Sequence, residues 1–134
     1  MTKRYMLDTD ISSYIIKQRP ASVREHFQKL PMDSFCISIV TYAELMYGVE
    51  RSSSRRVNRP VIEQFISHLE VVKWDLEAAD QYAIIRTKLE AIGAPIGAMD
   101  MMIASHAKSI NAVLVTNNLK HFTKVRGLKT ENWV

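Results

Sequence analysis

The apolar residues of this chain fall into short runs separated by longer stretches of helical periodicity. Tyr5, Met6 and Leu7 form the first run, of strand length. Asp8, Thr9 and Asp10 follow, and Ile11, Tyr14 and Ile15 then recur at the spacing of one helix face. Pro20 breaks the pattern, after which Val23, Phe27 and Leu30 mark a second short helix. "FCISIV" at 35 to 40 is continuously apolar, as a strand covered on both sides of a parallel sheet would be. "TYAELMYGV" reads as the next helix, with Thr41 as its N-cap. Ile62, Phe65, Ile66 and Leu69 keep helical spacing, and Pro60 suits the first turn of their helix. "EVVKW" at 70 to 74 is another strand. Asp75 then caps a longer helix carrying Ala79, Tyr82, Ile85, Leu89 and Ile92, which Gly93 stops. After the loop "GAPIG", Asp100 stands at the start of "MDMMIASHAKS", and "AVLVT" at 112 to 116 is a fourth strand ending in Asn117 and Asn118. "LKTENWV" closes the chain with a brief edge strand.

Strands alternating with helices predict an α/β fold. Its centre is a mostly parallel sheet of four to five short strands with helices on both faces. No repeat or low-complexity linker divides the chain, so residues 1–134 are expected to form one domain.

In such a sheet the carboxyl ends of the strands share a crevice, and polar residues placed there carry the chemistry. Asp8 follows the first strand, Asn118 follows the fourth, and Glu44 lies one turn into the helix after "FCISIV". Glu44 is flanked by Ala43, Leu45, Met46 and Tyr47, a setting in which a lone carboxylate is unusual. Asp100 sits between small residues and "MMIA" at a helix start. Capping alone would account for Asp8 or Asp10, and for Asp100. Two carboxylates within three residues exceed what a cap needs, because adjacent anions repel unless a cation holds them. Clustered carboxylates without Cys or His suit a hard cation, Mg²⁺ or Mn²⁺, and the phosphodiester cleavage such an ion supports.

Charge extends this picture. The net charge is +4, and no acidic residue occurs between Asp100 and Glu131, where Lys108, Lys120, Lys124, Arg126 and Lys129 fall. A second basic run, "RSSSRRVNR", supplies Arg51, Arg55, Arg56 and Arg59. Both runs are either solvated surfaces or contacts to nucleic-acid phosphates. The histidines at 26, 68, 106 and 121 lack zinc-like spacing, with His121 a minor candidate for a phosphate contact. There is no P-loop, G-x-G-x-x-G or G-x-S-x-G motif. No apolar run approaches the roughly 20 residues of a membrane span, so no membrane association is expected. The lone Cys36 reads as a buried hydrophobe in a reducing compartment, which points to the cytoplasm.

Taken in order, "YMLDTDISSY", "SIVTYAELMYGV", "IGAMDMMIASHA" and "LVTNNLKHF" resemble the PIN-domain ribonucleases, specifically the VapC-type toxins of bacterial toxin–antitoxin pairs. The likeness extends to the ending "VRGLKTENWV". It implies a Mg²⁺- or Mn²⁺-dependent endoribonuclease with Asp8, Glu44 and Asp100 in the acidic site and Thr116 as the polar residue ending the fourth strand. It also implies a homodimer, self-associated through helices near the first and fourth strands. A cognate antitoxin would cover the site, and operator DNA would be bound only through that complex. Structured RNA, initiator tRNA first, is the implied substrate. Two positions depart from the family: Asp10 stands where Asn is usual, and Asn118 where many members carry a fourth acid. Asp10 is therefore expected as a helix cap beside the site and an outer contact to the ion, and Asn118 as a residue positioning water.

Two competing readings remain. A receiver domain would need a phosphate-accepting Asp at the end of a central strand, which "FCISIVTY" does not offer. A non-catalytic nucleic-acid-binding module would use the basic runs and leave the acids structural.

Overall fold

A computed structural model describes residues 3–134; Met1 and Thr2, part of the expected domain span, lie outside the described residues. The elements follow in the order β1 (Tyr5–Leu7), α1 (Thr9–Lys17), α2 (Ala21–Lys29), a 3-10 turn (Met32–Ser34), β2 (Phe35–Ser38), α3 (Ile39–Arg51), α4 (Arg55–Ser67) and β3 (Glu70–Val72). Then come α5 (Leu76–Ala91), α6 (Ala98–Ser109), β4 (Val113–Val115), α7 (Leu119–Phe122) and β5 (Lys129–Glu131). The five strands pair in the order β3-β2-β1-β4-β5, and every pairing is parallel.

Alternation along each strand divides the core into two layers. Met6, Cys36 and Leu114 point to one face and join Ile85, Leu89 and Ile103 from α5 and α6. Tyr5, Leu7, Phe35, Ile37, Val113 and Val115 point to the other and join Ile11, Val23, Leu45 and Phe65 from α1 to α4. Near the chain's end Trp133 is buried in that second layer, its ring 5.9 Å from Tyr5 and 6.0 Å from Phe35.

Several boundaries differ from the pattern-based expectation, each for a local reason. β2 stops at Ser38, whose hydroxyl accepts a hydrogen bond from the Val40 N–H, so Ser38 rather than Thr41 caps α3. The same hydroxyl lies 2.7 Å from His106 Nδ1, which ties α6 to this turn. Burial lowers the pKa of His106 and keeps its imidazole neutral. α4 begins at Arg55, five residues before Pro60. Pro60 deprives the Arg56 carbonyl of a partner, and Arg56 is exposed, so solvent satisfies it.

Two shifts bear on the site. Asp8, not Asp10, caps α1: Asp8 Oδ1 accepts from the Ile11 N–H at 2.8 Å, and Asp10 sits exposed in the first turn. α6 starts at Ala98 with Gly97 at the cap position, so Asp100 is the third helical residue, not its cap. Its carboxylate is thus not consumed by the helix's own N–H groups.

Candidate active site

From β1 the chain moves outward to β2 and β3, then returns to β4 on the opposite side of β1. The sheet order therefore reverses between β1 and β4, where an open α/β sheet leaves a crevice at its carboxyl edge. Asp8 leaves β1 at this point, its backbone N–H bonded to the Val115 carbonyl at 3.0 Å. Thr116 leaves β4 beside it.

Asp8 is 5% exposed. Burial raises its pKa from 3.8 to about 6; the Thr116 hydroxyl and the Ile11 N–H oppose that rise, while the charges of Asp10 and Asp100 add to it. The charges of two further carboxylates thus reach Asp8 and disfavour its ionisation. Among the described residues, no cationic side chain enters the balance at Asp8.

Thr116 is fully buried, and its Oγ1 accepts from the Asn118 N–H at 2.8 Å. Asn118 Nδ2 lies 2.9 Å from His121 Nδ1, and Asp100 Oδ2 lies 3.4 Å from the same nitrogen. As an acceptor, Nδ1 takes a hydrogen bond from Asn118; protonated, it faces Asp100 as a donor. The imidazole thereby links Asp100 to the turn carrying Thr116 and Asn118. Glu44 approaches from α3 and accepts a hydrogen bond from the Thr9 hydroxyl, the residue next to Asp8.

Asp8, Asp10, Asp100, Thr116 and Asn118 are thus brought to one crevice, with Glu44 at its edge. Among the described residues no three Asp, Glu, His or Cys side chains already converge on one point as ion ligands. Glu44 instead bonds to Thr9, and Asp100 faces His121. The donor set itself, carboxylates with hydroxyl and amide oxygens, fits a hard divalent ion. The uncompensated charge around buried Asp8 fits it too.

The basic residues do not form one surface. Arg55 and Arg56 are exposed in the first turn of α4. Arg51 packs over the Tyr47 ring at 5.4 Å and lines a groove of about 580 Å³ beside Glu44. Thr9, Lys17, Val61 and Ile62 also line this groove. Lys120 is exposed on α7, just beyond Asn118. Lys124 and Arg126 instead precede β5, at the amino end of the sheet. A single basic stretch in the sequence is therefore divided between opposite ends of the molecule.

Sequence reasoning gave no role to Thr9 and only a marginal one to His121. Thr9 stood between two aspartates, and His121 is three residues after Asn118, a spacing that puts both on one face of a helical turn.

A model of the PIN domain matches residues 5–128. The tRNA(fMet)-specific endonuclease VapC of Shigella flexneri is 46% identical over 130 residues, covering 97% of this chain and 98% of the relative. The VapBC structure from Salmonella typhimurium, solved with bound DNA, contains a chain 42% identical, with TM-score 0.93 over 99% of this chain and 100% of that one. VapBC2 from Rickettsia felis, bound to a DNA fragment from its promoter, gives 39% identity and TM-score 0.91, covering 97% and 98%. The chain belongs to the PIN-domain family and, within it, to the VapC group.

Proposed function

We propose that this chain is the toxin of a bacterial toxin–antitoxin pair, an endoribonuclease that uses a divalent cation, Mg²⁺ or Mn²⁺, to cut structured RNA and so inhibit translation. The observation that carries it is the buried Asp8 carboxylate at the sheet's switch point, crowded by Asp10 and Asp100. A protein seldom keeps such an arrangement for stability, because burying charge without a partner is costly. Initiator tRNA is the substrate to test first, since relatives from Shigella flexneri and Salmonella typhimurium are tRNA(fMet)-specific endonucleases. The non-catalytic alternative is not favoured: these relatives are endonucleases.

In this reading Asp8, Asp100 and Glu44 hold the ion. When bound, the ion activates water and stabilises charge on the phosphoryl and leaving oxygens. The chain's own residues supply position. Thr116 orients Asp8, Asn118 positions water at the end of β4, and His121 steadies Asp100. Asp10, which is exposed, adds negative charge at the outer edge. Glu44 must leave Thr9 to join the others. Exposed Arg51, Arg55, Arg56 and Lys120 are the cations available for substrate phosphates on this side.

The partner is a cognate antitoxin, as the VapBC pairs among the relatives support, and operator DNA is engaged through that complex. The groove beside Glu44, with exposed Val57 and Val61 on α4, suits its docking segment. Exposed Ile39, Leu76 and Met99 open α3, α5 and α6 and support a homodimer; of the three, only Met99 is on a helix next to β4. One PIN-like domain over residues 1–134, acting in the cytoplasm, completes the proposal. No described helix is long and apolar enough to cross a membrane.

The deciding experiment is cleavage of initiator tRNA with added Mg²⁺ or Mn²⁺, with sequencing of the new ends. Discrete cuts that vanish with Asp8→Asn support the reading. Intact tRNA under both ions, from a protein that still binds antitoxin, would overturn it.

A further inference from the structure

At the opposite end of the sheet lies a groove of about 540 Å³ that the nuclease reading does not use. Lys88 and Ile92 from the end of α5, Lys108 from the last turn of α6, and Lys124 and Arg126 from the segment before β5 surround it. Its floor is apolar: Ile84 and Ile92 are 44% and 69% exposed, and Val125 lies between the cations. Among the described residues, no acidic side chain lines it. Asp100 and Lys108 are eight residues apart on α6, so the groove is about 12 Å along that helix from the crevice.

We infer that this groove docks a short acidic amphipathic protein segment. Two or three of its apolar side chains would seat on Ile84, Ile92 and Val125, and flanking Asp or Glu residues would pair with the four cations. Charge complementarity selects this occupant. Four like charges repel unless an anion lies among them, and Lys108 Nζ is already held in place by the Arg126 carbonyl at 2.9 Å. The apolar floor decides between anionic partners: a phosphodiester backbone gains nothing from covering isoleucines, whereas an amphipathic segment removes them from water. A segment docked here leaves the crevice open, so a partner can hold this protein without blocking its active site. The inference does not depend on the nuclease reading.

The test uses the full chain and a synthetic fluorescent peptide, rich in Glu with Leu at positions i, i+3, i+4 and i+7, followed by anisotropy. A scrambled peptide of the same composition and single-stranded poly(U) with a chelator serve as controls. The amphipathic peptide should bind best. Lys124→Glu and Ile92→Asp should each weaken it about tenfold, with unchanged thermal melts because both residues are exposed. Equal binding of the scrambled peptide would reduce the groove to a charged surface and overturn the proposal. So would poly(U) binding that Lys124→Glu and Ile92→Asp both weaken while the peptide fails to bind.

Discussion

The carboxyl end of the sheet gathers carboxylates around a buried Asp8, while the amino end gathers cations around exposed isoleucines. One helix, α6, joins them, with Asp100 in its first turn and Lys108 in its last. That polarity agrees with the helix dipole, which favours anions at the start and cations at the end. The net charge of +4 conceals this separation. A basic total says little about where RNA binds; in the proposed nuclease the chemistry of phosphodiester cleavage belongs to the negative end, where a cation would reconcile the charges with each other and with a polyanion.

The largest expected effect tests the negative end directly. Asp8→Asn and Asp100→Asn should each lower tRNA cleavage by on the order of a hundredfold or more, since in the proposed site each removes a charge that would hold the ion. Stability should respond differently. Asn at position 8 still caps α1 and carries no buried charge, so Asp8→Asn should melt at or above the parent temperature at pH 7. Asp100 caps nothing, and the helix-dipole stabilisation it loses is opposed by relief of its repulsion with Asp8, so its variant should melt close to the parent. Full activity in both folded variants would dissolve the contrast between the ends.

How much of that contrast was legible beforehand differed by scale. β1, β2 and β4 were readable because each is a three- or four-residue, mostly apolar run that only a doubly covered sheet would bury, whereas β3 and the polar β5 are partly exposed edge strands. Asp8, Glu44 and Asp100 were visible as acids in apolar surroundings. Which acid capped which helix was not: Asp8 and Asp10 have equal capping propensity, and the choice rests on β1 ending where Asp8 bonds Val115. Ser38 was hidden inside an apolar run, because Ile39 and Val40 begin α3 despite their strand preference, the burial of Val40 and the Ser38 cap outweighing it. The basic groove was beyond reach, since Lys88 meets Lys124 only through the packing of α5 against the last loop.

Acidity should separate the two ends next. Asp8 titrates near 6 when folded and near 3.8 when unfolded, so between those values the folded state holds the extra proton. Stability of the ion-free protein should therefore gain from Asp8 as pH falls from about 6 towards 4, and this gain should be absent in Asp8→Asn. In the proposed site, protons would compete with the ion for the same oxygen atoms. Mn²⁺ affinity by calorimetry should weaken about tenfold per pH unit below 6. An affinity flat from pH 7 to 5 would place the ion away from Asp8. His121→Ala comes after these, with an expected loss of about tenfold in cleavage and little change in melting, because it removes only the half-exposed contacts that link Asp100 to Asn118.

The smallest effect discriminates most sharply between the ends, because both basic groups come from what looked like similar surfaces. Arg55 and Arg56 stand on the first turn of α4 and Lys120 just past Asn118, whereas Lys124 and Arg126 face the amino-end groove. If proximity to the crevice governs substrate contact, Arg55→Ala with Arg56→Ala should weaken tRNA binding a few-fold. Each lost phosphate contact should also lower the salt dependence of log affinity by about 0.7 to 0.9. Lys124→Ala with Arg126→Ala should change neither quantity beyond error. Both pairs remove the same formal charge from exposed positions, so a purely long-range field would make them equal. Binding measured across a salt series in the presence of a chelator separates the cases without any cleavage. Equal losses from the two pairs would mean that RNA spans the length of α6 and meets both ends, and the division of the basic residues would then carry no functional meaning.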